Sequence, residues 1–285
     1  MTTMQDPPQA PAAAQATEPQ AHPLQAHTGK FVTSAGAAFP GERAVFRGRD
    51  IHAEVMHDTS WLQLQAYGAG AELTTDQAAL LDTFWVNTSY PDARVWNNRV
   101  ASLAGSMRST SALALSAAHA VSEASIFGRR IDWKAITFLQ RVMDGVRAGQ
   151  SIQECVDEHL RTQGKIAGYG RPLHNGDERI PAMMAEAEKY RLHDGAFVRL
   201  AFEIEEYLAT TGKPLAINAS ALVCAFGLDF GMTPRQWTIM LYPVFLAGMT
   251  PCYLEALEDK PIGAAFAARV DQVDYTGAAP RDWDA

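Results

Sequence analysis

The strongest constraint in this sequence is a loop at positions 166–179, which reads IAGYGRPLHNGDER. Gly168 and Gly170 allow the backbone to turn tightly and to approach a ligand closely. Basic residues packed beside such a turn predict a loop that meets a phosphate or a carboxylate, and an ordinary connection between two helices is the alternative. The basic residues of the loop are Arg171, His174 and Arg179.

Helix signals recur along most of the chain, whereas strand signals are scarce. Ser151 and Glu154 have the spacing of a capping box, in which each side chain bonds the backbone of the other. Gly164 is placed to end the helix that this box begins. The pattern predicts an all-α protein with many helices and short connections. The predicted helices begin at Thr74 or Thr75, Ser151, Pro181, Gly195 and Thr233.

The stretch at 98–127 is rich in Ala, Ser and Gly, with a few larger apolar residues between them. Small residues let helices approach closely, so this stretch is expected at the centre of the fold or at the interface of a homodimer. A plain buried helix hairpin is the alternative.

Residues 1–40 are rich in Ala, Pro and Gln and have almost no large apolar side chains. Such a segment buries too little surface to offset its ordering entropy, so a disordered tail is predicted there. Order is expected to begin near Val45, where a polar hairpin or turn fits the sequence FRGRDIHAEVM.

Charge and cysteine content exclude several classes of protein. The formal net charge of −8 comes without a basic stripe, which argues against a nucleic-acid partner. Cys155, Cys224 and Cys252 lie far apart in apolar settings, which indicates buried free thiols and no zinc site. The uncharged run at 236–254 is interrupted by prolines and polar residues, so a buried core helix is expected and no membrane span. No signal peptide is visible, and a cytoplasmic protein is expected.

The loop at 166–179 resembles the signature loop of the citrate synthase family, which also includes the short citryl-CoA lyases. That loop has the form G-[FY]-G-H-P-x-[HYL], followed by D-P-R. Arg171 stands where the family has its loop histidine, and Glu178 replaces the proline of D-P-R. Weaker similarity runs from about Phe46 to Arg281. The matching residues are Gly168, Tyr169, Gly170, Pro172, His174, Asp177 and Arg179.

The resemblance implies the citrate synthase-like fold, in which a large and a small helical domain hold the site between them. On this basis residues 41–120 and 225–285 are expected to form the large domain. Residues 121–224 would form the small domain, which carries the loop. The implied substrates are an acyl-CoA and a small di- or tricarboxylic acid, handled without a metal.

Citrate synthase-like chemistry makes or cleaves a carbon–carbon bond beside a thioester, and the family uses an aspartate and two histidines for it. The resemblance puts the helix histidine at His119, because SAAHAVSEAS is similar to L-H-G-G-A-N-E. It puts Arg171 in place of the loop histidine and Ser220 in place of the aspartate base. A serine hydroxyl without a partner is too weak to take a thioester α-proton. Glu123, four residues after His119 and expected on the same helix face, is the candidate substitute.

The resemblance also implies the binding residues. The closing segment DYTGAAPRDW is similar to the family's terminal Y-x-G-x-x-P-R, which reaches the active site. The substrate acid would be held by His174, Arg179, Asn218 and Arg281. The main chain of Ile166, Ala167, Gly168, Tyr169 and Gly170 would hold the CoA adenine, with Lys165, Arg171 and Arg281 as phosphate partners.

Two functions are compatible with these residues. One is an enzyme acting on an acyl-CoA or a citryl-type adduct, and the short chain favours the lyase-like branch. The other is a catalytically silent homologue that binds acyl-CoA or pairs with an active paralogue. Arg171 and Ser220 favour the second function, because both depart from the family's catalytic residues.

Overall fold

Helices make up most of the structure, a computed structural model that describes residues 29, 33–125, 128–171, 176–212, 214–263, 270–272, 274–279 and 281. This confirms the predicted all-α class. The helices are α1 (Met56–Asp58, which continues a π-helical turn at Ile51–Val55), α2 (Trp61–Ala69), α3 (Thr75–Thr88), α4 (Trp96–Ser106), α5 (Ser111–Val121), α6 (Arg129–Arg147), α7 (Ile152–Gln163), α8 (Arg179–Lys189), α9 (Ala196–Thr210), α10 (Ala219–Asp229), α11 (Pro234–Met240) and α12 (Leu246–Glu258), with a short 3-10 turn at Val270–Gln272.

Three short antiparallel strands precede the helices: β1 (Gly36–Phe39), β2 (Arg43–Phe46) and β3 (Arg49–Asp50), in the order β1-β2-β3. The hairpin expected near Val45 is therefore present. The prediction that the disordered tail extends to residue 40 is wrong, because β1 lies inside that range. Its backbone pairs with β2, from Gly36 opposite Phe46 to Phe39 opposite Arg43, and composition alone does not reveal such pairing.

The helix ends follow local sequence signals. Capping boxes begin α3 at Thr74, α7 at Ser151 and α11 at Thr233. Gly164 ends α7 in the left-handed conformation that glycine adopts without strain. These predictions are confirmed, although α8 begins at Arg179, two residues before the predicted start.

The main core surrounds α10, whose residues from Ala219 to Leu228 are almost all buried. Helices α6 and α9 both pack on it. Phe226 of α10 contacts Phe84 of α3 at 5.0 Å between ring centroids. Because α10 is central, the residues at its first turn are held in fixed positions, and the candidate site lies there.

The small-residue stretch forms two helices, α4 and α5, that pack against each other and against α12. This is the helix hairpin held as the alternative in the sequence. Its buried residues form a second cluster, separate from the main core around α10. The buried members of this cluster are Ala101, Ala114, Ala118, Met249 and Tyr253.

The single long helix predicted from Thr233 is wrong, because the chain breaks between α11 and α12. Pro243 lies in the break and disfavours a helical residue before it. Phe245 adopts a left-handed conformation with φ of 76° and begins α12. None of the helices in the described part of the chain combines the length and apolar character needed to cross a membrane.

All three cysteines are free thiols, as predicted. Cys224 and Cys252 are buried, whereas Cys155 is only half-buried. The division into a large and a small domain at residues 120 and 224 stays a prediction.

Candidate functional site

The glycine loop is attached to the segment before α10 by main-chain hydrogen bonds. The Asn218 amide donates to the Gly168 carbonyl at 2.9 Å, and the Gly170 amide donates to the Ala216 carbonyl at 2.6 Å. Gly168 has a φ of 90°, and a Cβ there would lie 2.6 Å from the Cβ of Ala221 in α10. Glycine is therefore required at this position by both conformation and space.

Asn218 joins the loop to α10. Its side-chain carbonyl accepts from the Ser220 amide at 3.0 Å and caps the helix. Its side-chain NH₂ donates to the Gly170 carbonyl at 2.9 Å. Both ends of the amide are thus engaged within the protein, which leaves Asn218 a structural role beside any contact with a substrate.

Asp177 is a buried carboxylate at the end of the loop. It accepts from Arg179 Nε at 2.8 Å, from Arg179 Nη2 at 2.7 Å and from the Ala219 amide at 2.8 Å. Burial by itself would raise the pKa of Asp177, but these hydrogen bonds and the charge of Arg179 outweigh it and lower the pKa. Arg179 keeps Nη1 without a hydrogen bond in the described part of the chain.

Arg171, which the sequence prediction put in place of a loop histidine, lies beside acidic residues. Its Nη1 pairs closely with Glu178 and lies 3.7 Å from Asp177 Oδ1. Tyr90 donates its hydroxyl proton to Glu178 at 3.0 Å. Glu178, the residue that replaces the family's proline, therefore neutralises Arg171.

Ser220, which the resemblance put at the position of the base, has an acidic partner: its hydroxyl donates to the carboxylate of Asp132 in the first turn of α6. The Asp132 side chain is partly exposed to solvent, but the surrounding protein atoms remove most of its hydration. This desolvation raises the pKa of Asp132 from 3.8 to about 7, against the opposing effects of the Ser220 hydrogen bond and the charges of Arg129 and Arg179.

The sequence prediction missed Asp132, although a signal for it exists. Asp132 precedes the buried Ala135 and Ile136 by three and four positions and the buried Leu139 by seven. The helical period therefore puts a carboxyl on the buried face of α6. A lone acidic residue on such a face indicates a special environment.

His119 is buried near the end of α5 and contacts Arg129. The Nη2 atom of Arg129 lies 3.0 Å from Nδ1 and 2.8 Å from Nε2 of the histidine ring. The ring also meets the ring of Tyr242 edge-on, at 4.2 Å between centroids. Burial, and then the charge of Arg129, lower the pKa of His119. Because a guanidinium can only donate, a ring nitrogen of His119 accepts from Arg129. The catalytic role of His119 stays a prediction.

The helix-face argument for Glu123 is wrong. Helix α5 ends at Val121, with Ser122 as its cap, so Glu123 does not continue the helix that carries His119. Glu123 is exposed, and its carboxylate interacts electrostatically with Arg129. The acidic residue beside Ser220 is Asp132.

The segment expected to hold CoA is partly buried. Lys165 is exposed, whereas Ile166, Gly168 and Tyr169 are buried and Ala167 is half-buried. Tyr169 donates its hydroxyl proton to the Ala201 carbonyl at 2.9 Å. The role of these residues in binding CoA stays a prediction.

His174 and Arg281 are the remaining residues that were expected to hold the substrate acid. His174 lies outside the described residues. Arg281 is exposed. Within the described ranges, no group of three His, Cys, Asp or Glu side chains is arranged to hold a metal ion.

The sequence matches no protein-family model and no curated protein. Solved structures are similar in fold. Citryl-CoA lyase from Hydrogenobacter thermophilus has a TM-score of 0.73 and 20% identity, covering 88% of this chain and 96% of that chain. ATP citrate lyase from Methanothrix soehngenii, in complex with citrate and coenzyme A, has a TM-score of 0.67 and 14% identity, covering 95% of this chain and 47% of that chain.

A citrate synthase is similar over a smaller part. The enzyme from Thermoplasma acidophilum, in a ternary complex with carboxymethyl coenzyme A and oxaloacetate, has a TM-score of 0.58 and 15% identity. The match covers 79% of this chain and 58% of that chain. With its helices, its central α10 and the glycine loop attached to it, the chain has the citrate synthase-like fold.

Proposed function

We propose that this protein makes or cleaves a carbon–carbon bond between an acyl-CoA and a 2-oxo acid. Its fold supports this proposal, because citryl-CoA lyase is similar over nearly its whole length. Structures of the same fold contain coenzyme A with citrate, or a coenzyme A derivative with oxaloacetate. A homodimer and a cytoplasmic location stay predictions from the sequence, and sedimentation would test the first.

The observation that carries the proposal is the contact between Ser220 and Asp132. A carboxyl with a pKa near 7 is suited to both accepting and returning a proton at neutral pH. Ser220 alone could not do this, because an unassisted hydroxyl is far too weak a base. Asp132 supplies the missing carboxylate from a different helix.

In the cleavage direction, the substrate is a thioester with a hydroxyl group on the carbon two bonds from the thioester carbonyl. The Asp132 carboxylate accepts the hydroxyl proton as the carbon–carbon bond breaks. The bonding electrons pass to the thioester enolate, and the 2-oxo acid departs. Asp132 then returns the proton to the enolate carbon, which gives acyl-CoA without any co-reactant. Synthesis is the reverse sequence.

A specific observation favours the second candidate, a silent homologue that binds acyl-CoA. Arg171 is paired with Glu178, and Arg179 is paired with Asp177. The loop's cations are therefore neutralised from within the protein, which leaves less charge for a substrate carboxylate.

Deuterium exchange separates the two candidates. Acetyl-CoA is incubated in D₂O with the purified protein, with and without a 2-oxo acid, and the label in the methyl group is measured. Wild type is expected to exchange the methyl protons, and Asp132→Asn is expected to lower the rate at least about 100-fold, as loss of a general base does. Asp144→Asn, an exposed residue of the same helix, is the matched control and keeps the rate.

The melting temperature with and without CoA is measured on the same samples. A shift with CoA but no exchange in wild type would favour the silent homologue. No shift with CoA or acetyl-CoA at millimolar concentration would contradict the ligand class itself.

A further inference from the structure

An open cleft of about 600 Å³ is lined by residues from the first turns of α6 and from α11. Arg129 and Trp133 of α6 line one side of the cleft. Ile239 of α11 and Tyr242 line the other side. Asp132 does not line the cleft, but the charge of Arg129 acts on its carboxyl, so the cation of the cleft lies near the group that the proposed reaction uses.

Arg129 is a buried cation without a close ion pair. It is 5% exposed, and Glu123 and Asp132 act on it only electrostatically, with no carboxylate of the described residues within 4 Å of its guanidinium. Its Nε is buried without a hydrogen bond. Its Nη2 is held by His119 and by the Tyr242 carbonyl at 3.1 Å. A buried guanidinium is costly without an opposite charge, so an arginine fixed in this way is suited to an incoming anion.

The walls of the cleft are apolar and accessible. Trp133 is 45% exposed, Ile239 is 44% exposed and Tyr242 is 61% exposed. The guanidinium carbon of Arg129 lies 5.0 Å from the centre of the Tyr242 ring, so the aromatic wall extends up to the cation. Large apolar side chains left open beside a charged group are typical of a site for an amphipathic small molecule.

The charge of the cleft suits one carboxylate. Arg129 and Arg235 contribute two positive charges, and Glu123 contributes one negative charge. A single carboxylate at Arg129 would balance the remaining charge. A second carboxylate on the ligand would meet apolar walls and Glu123, which costs desolvation and repulsion.

We propose that Arg129 binds the carboxylate of the 2-oxo acid partner, and that this acid carries an apolar side chain that packs against Trp133, Ile239 and Tyr242. The inference rests on the proposed function and specifies the side chain of the 2-oxo acid, which the proposed function leaves open. Arg129 and Asp132 are three positions apart on α6 and so are neighbours on its surface. An acid bound at Arg129 would lie near Asp132, whose carboxyl interacts with the charge of Arg129 and accepts from Ser220.

Calorimetry tests the inference without requiring turnover. Binding of 4-methyl-2-oxopentanoate and of oxaloacetate to the full chain is measured with and without saturating CoA. The apolar acid is expected to bind at least about 10-fold more tightly than oxaloacetate. Arg129→Gln is expected to weaken the apolar acid at least about 10-fold, which corresponds to one lost charge-assisted contact. Arg130→Gln, the exposed neighbour on the same helix, is the control and leaves its binding unchanged.

A second variant covers the case in which Arg129→Gln does not fold. Ile239→Glu adds a negative charge to an exposed apolar wall, and it is expected to weaken binding of the apolar acid while the shift in melting temperature with CoA stays as in wild type. The inference is overturned if the two acids bind equally, if neither binds, or if the apolar acid binds folded Arg129→Gln as well as wild type. Tight, Arg129-dependent binding without deuterium exchange would instead contradict the proposed reaction and leave the acid site standing.

Discussion

Asp132 brings a carboxyl group to a place where α10 itself supplies only the hydroxyl of Ser220. The direction of their hydrogen bond sets the chemistry. Ser220 donates to the carboxylate and so stabilises its charged form, which lowers the pKa of Asp132 from where burial alone would set it. The hydroxyl therefore keeps Asp132 in a range in which it can both accept and return a proton at neutral pH.

The Ser220–Asp132 contact predicts a change in the pH dependence of the reaction. In wild type, kcat/KM for cleavage is expected to rise with pH through an apparent pKa near 7, as Asp132 becomes the carboxylate that accepts the proton. Ser220→Ala removes the donor and moves this pKa upward by about 0.5–1 unit, because a hydrogen bond is worth about 1 kcal/mol. The measurement is a pH–rate profile between pH 5 and 9.

Ser116→Ala, on the exposed side of α5, is the control and leaves the profile in place. A profile that is unchanged in Ser220→Ala would show that the hydroxyl does not act through Asp132. A downward shift would mean that the proton lies on Asp132 and is donated to Ser220.

At the scale of elements, α4 and α12 approach closely because α4 has a glycine at their contact. A Cβ at Gly105 would lie 2.4 Å from the carbonyl oxygen of Tyr253 in α12. This overlap is with main chain, which cannot move aside as the end of a side chain can. The second hydrophobic cluster around Met249 therefore depends on the absence of a side chain at Gly105.

Gly105→Ala is expected to destabilise the protein despite the better helix propensity of alanine. Alanine gains at most about 1 kcal/mol in a helix, whereas overpacking costs about 1–3 kcal/mol. A net loss of up to about 2 kcal/mol in the free energy of unfolding is expected from urea titration. Gly212→Ala has no heavy atom within 4 Å and is the control, which keeps or slightly raises stability. A gain in stability for Gly105→Ala would contradict the close packing.

At this scale, the sequence predicted the features that depend on residues close together in the chain. The helix starts at Thr74, Ser151 and Thr233 depend on residues three positions apart, so local spacing is enough to find them. The contact between Asp132 and Ser220 joins residues 88 positions apart and depends on how α6 packs on α10. The spacing of residues in the sequence does not reveal that packing. For this reason the sequence prediction named Glu123 and missed Asp132.

At the scale of the whole molecule, two acidic groups near α10 have opposite environments. Asp177 is buried among donors that hold its pKa below the usual value. Asp132 is crowded by protein with a single hydroxyl donor, and its pKa is raised to about 7. The fold therefore keeps one carboxylate charged as a structural group and holds the other ready to exchange a proton.

Holding Asp132 in this state costs stability, and the sign can be worked out. The folded protein binds the proton of Asp132 more strongly than the unfolded chain does, because the pKa rises from 3.8 to about 7 on folding. This favours folding most at low pH, and the contribution is lost as the pH rises from about 4 to about 7. At pH 8 the folded state must hold a poorly hydrated carboxylate.

Asp132→Asn is therefore expected to raise the melting temperature at pH 8 while it lowers the rate of deuterium exchange at least about 100-fold. Each 1 kcal/mol gained is worth roughly 2 °C in a chain of this length. The difference in melting temperature between variant and wild type is expected to be larger at pH 8 than at pH 5, because only wild type has a carboxyl to ionise at this place. Asp144→Asn, which removes an exposed charge from the same helix, controls for the general effect of net charge. A lower melting temperature at pH 8, or a difference that does not depend on pH, would contradict the desolvated state of Asp132 and with it the base that the proposed reaction uses.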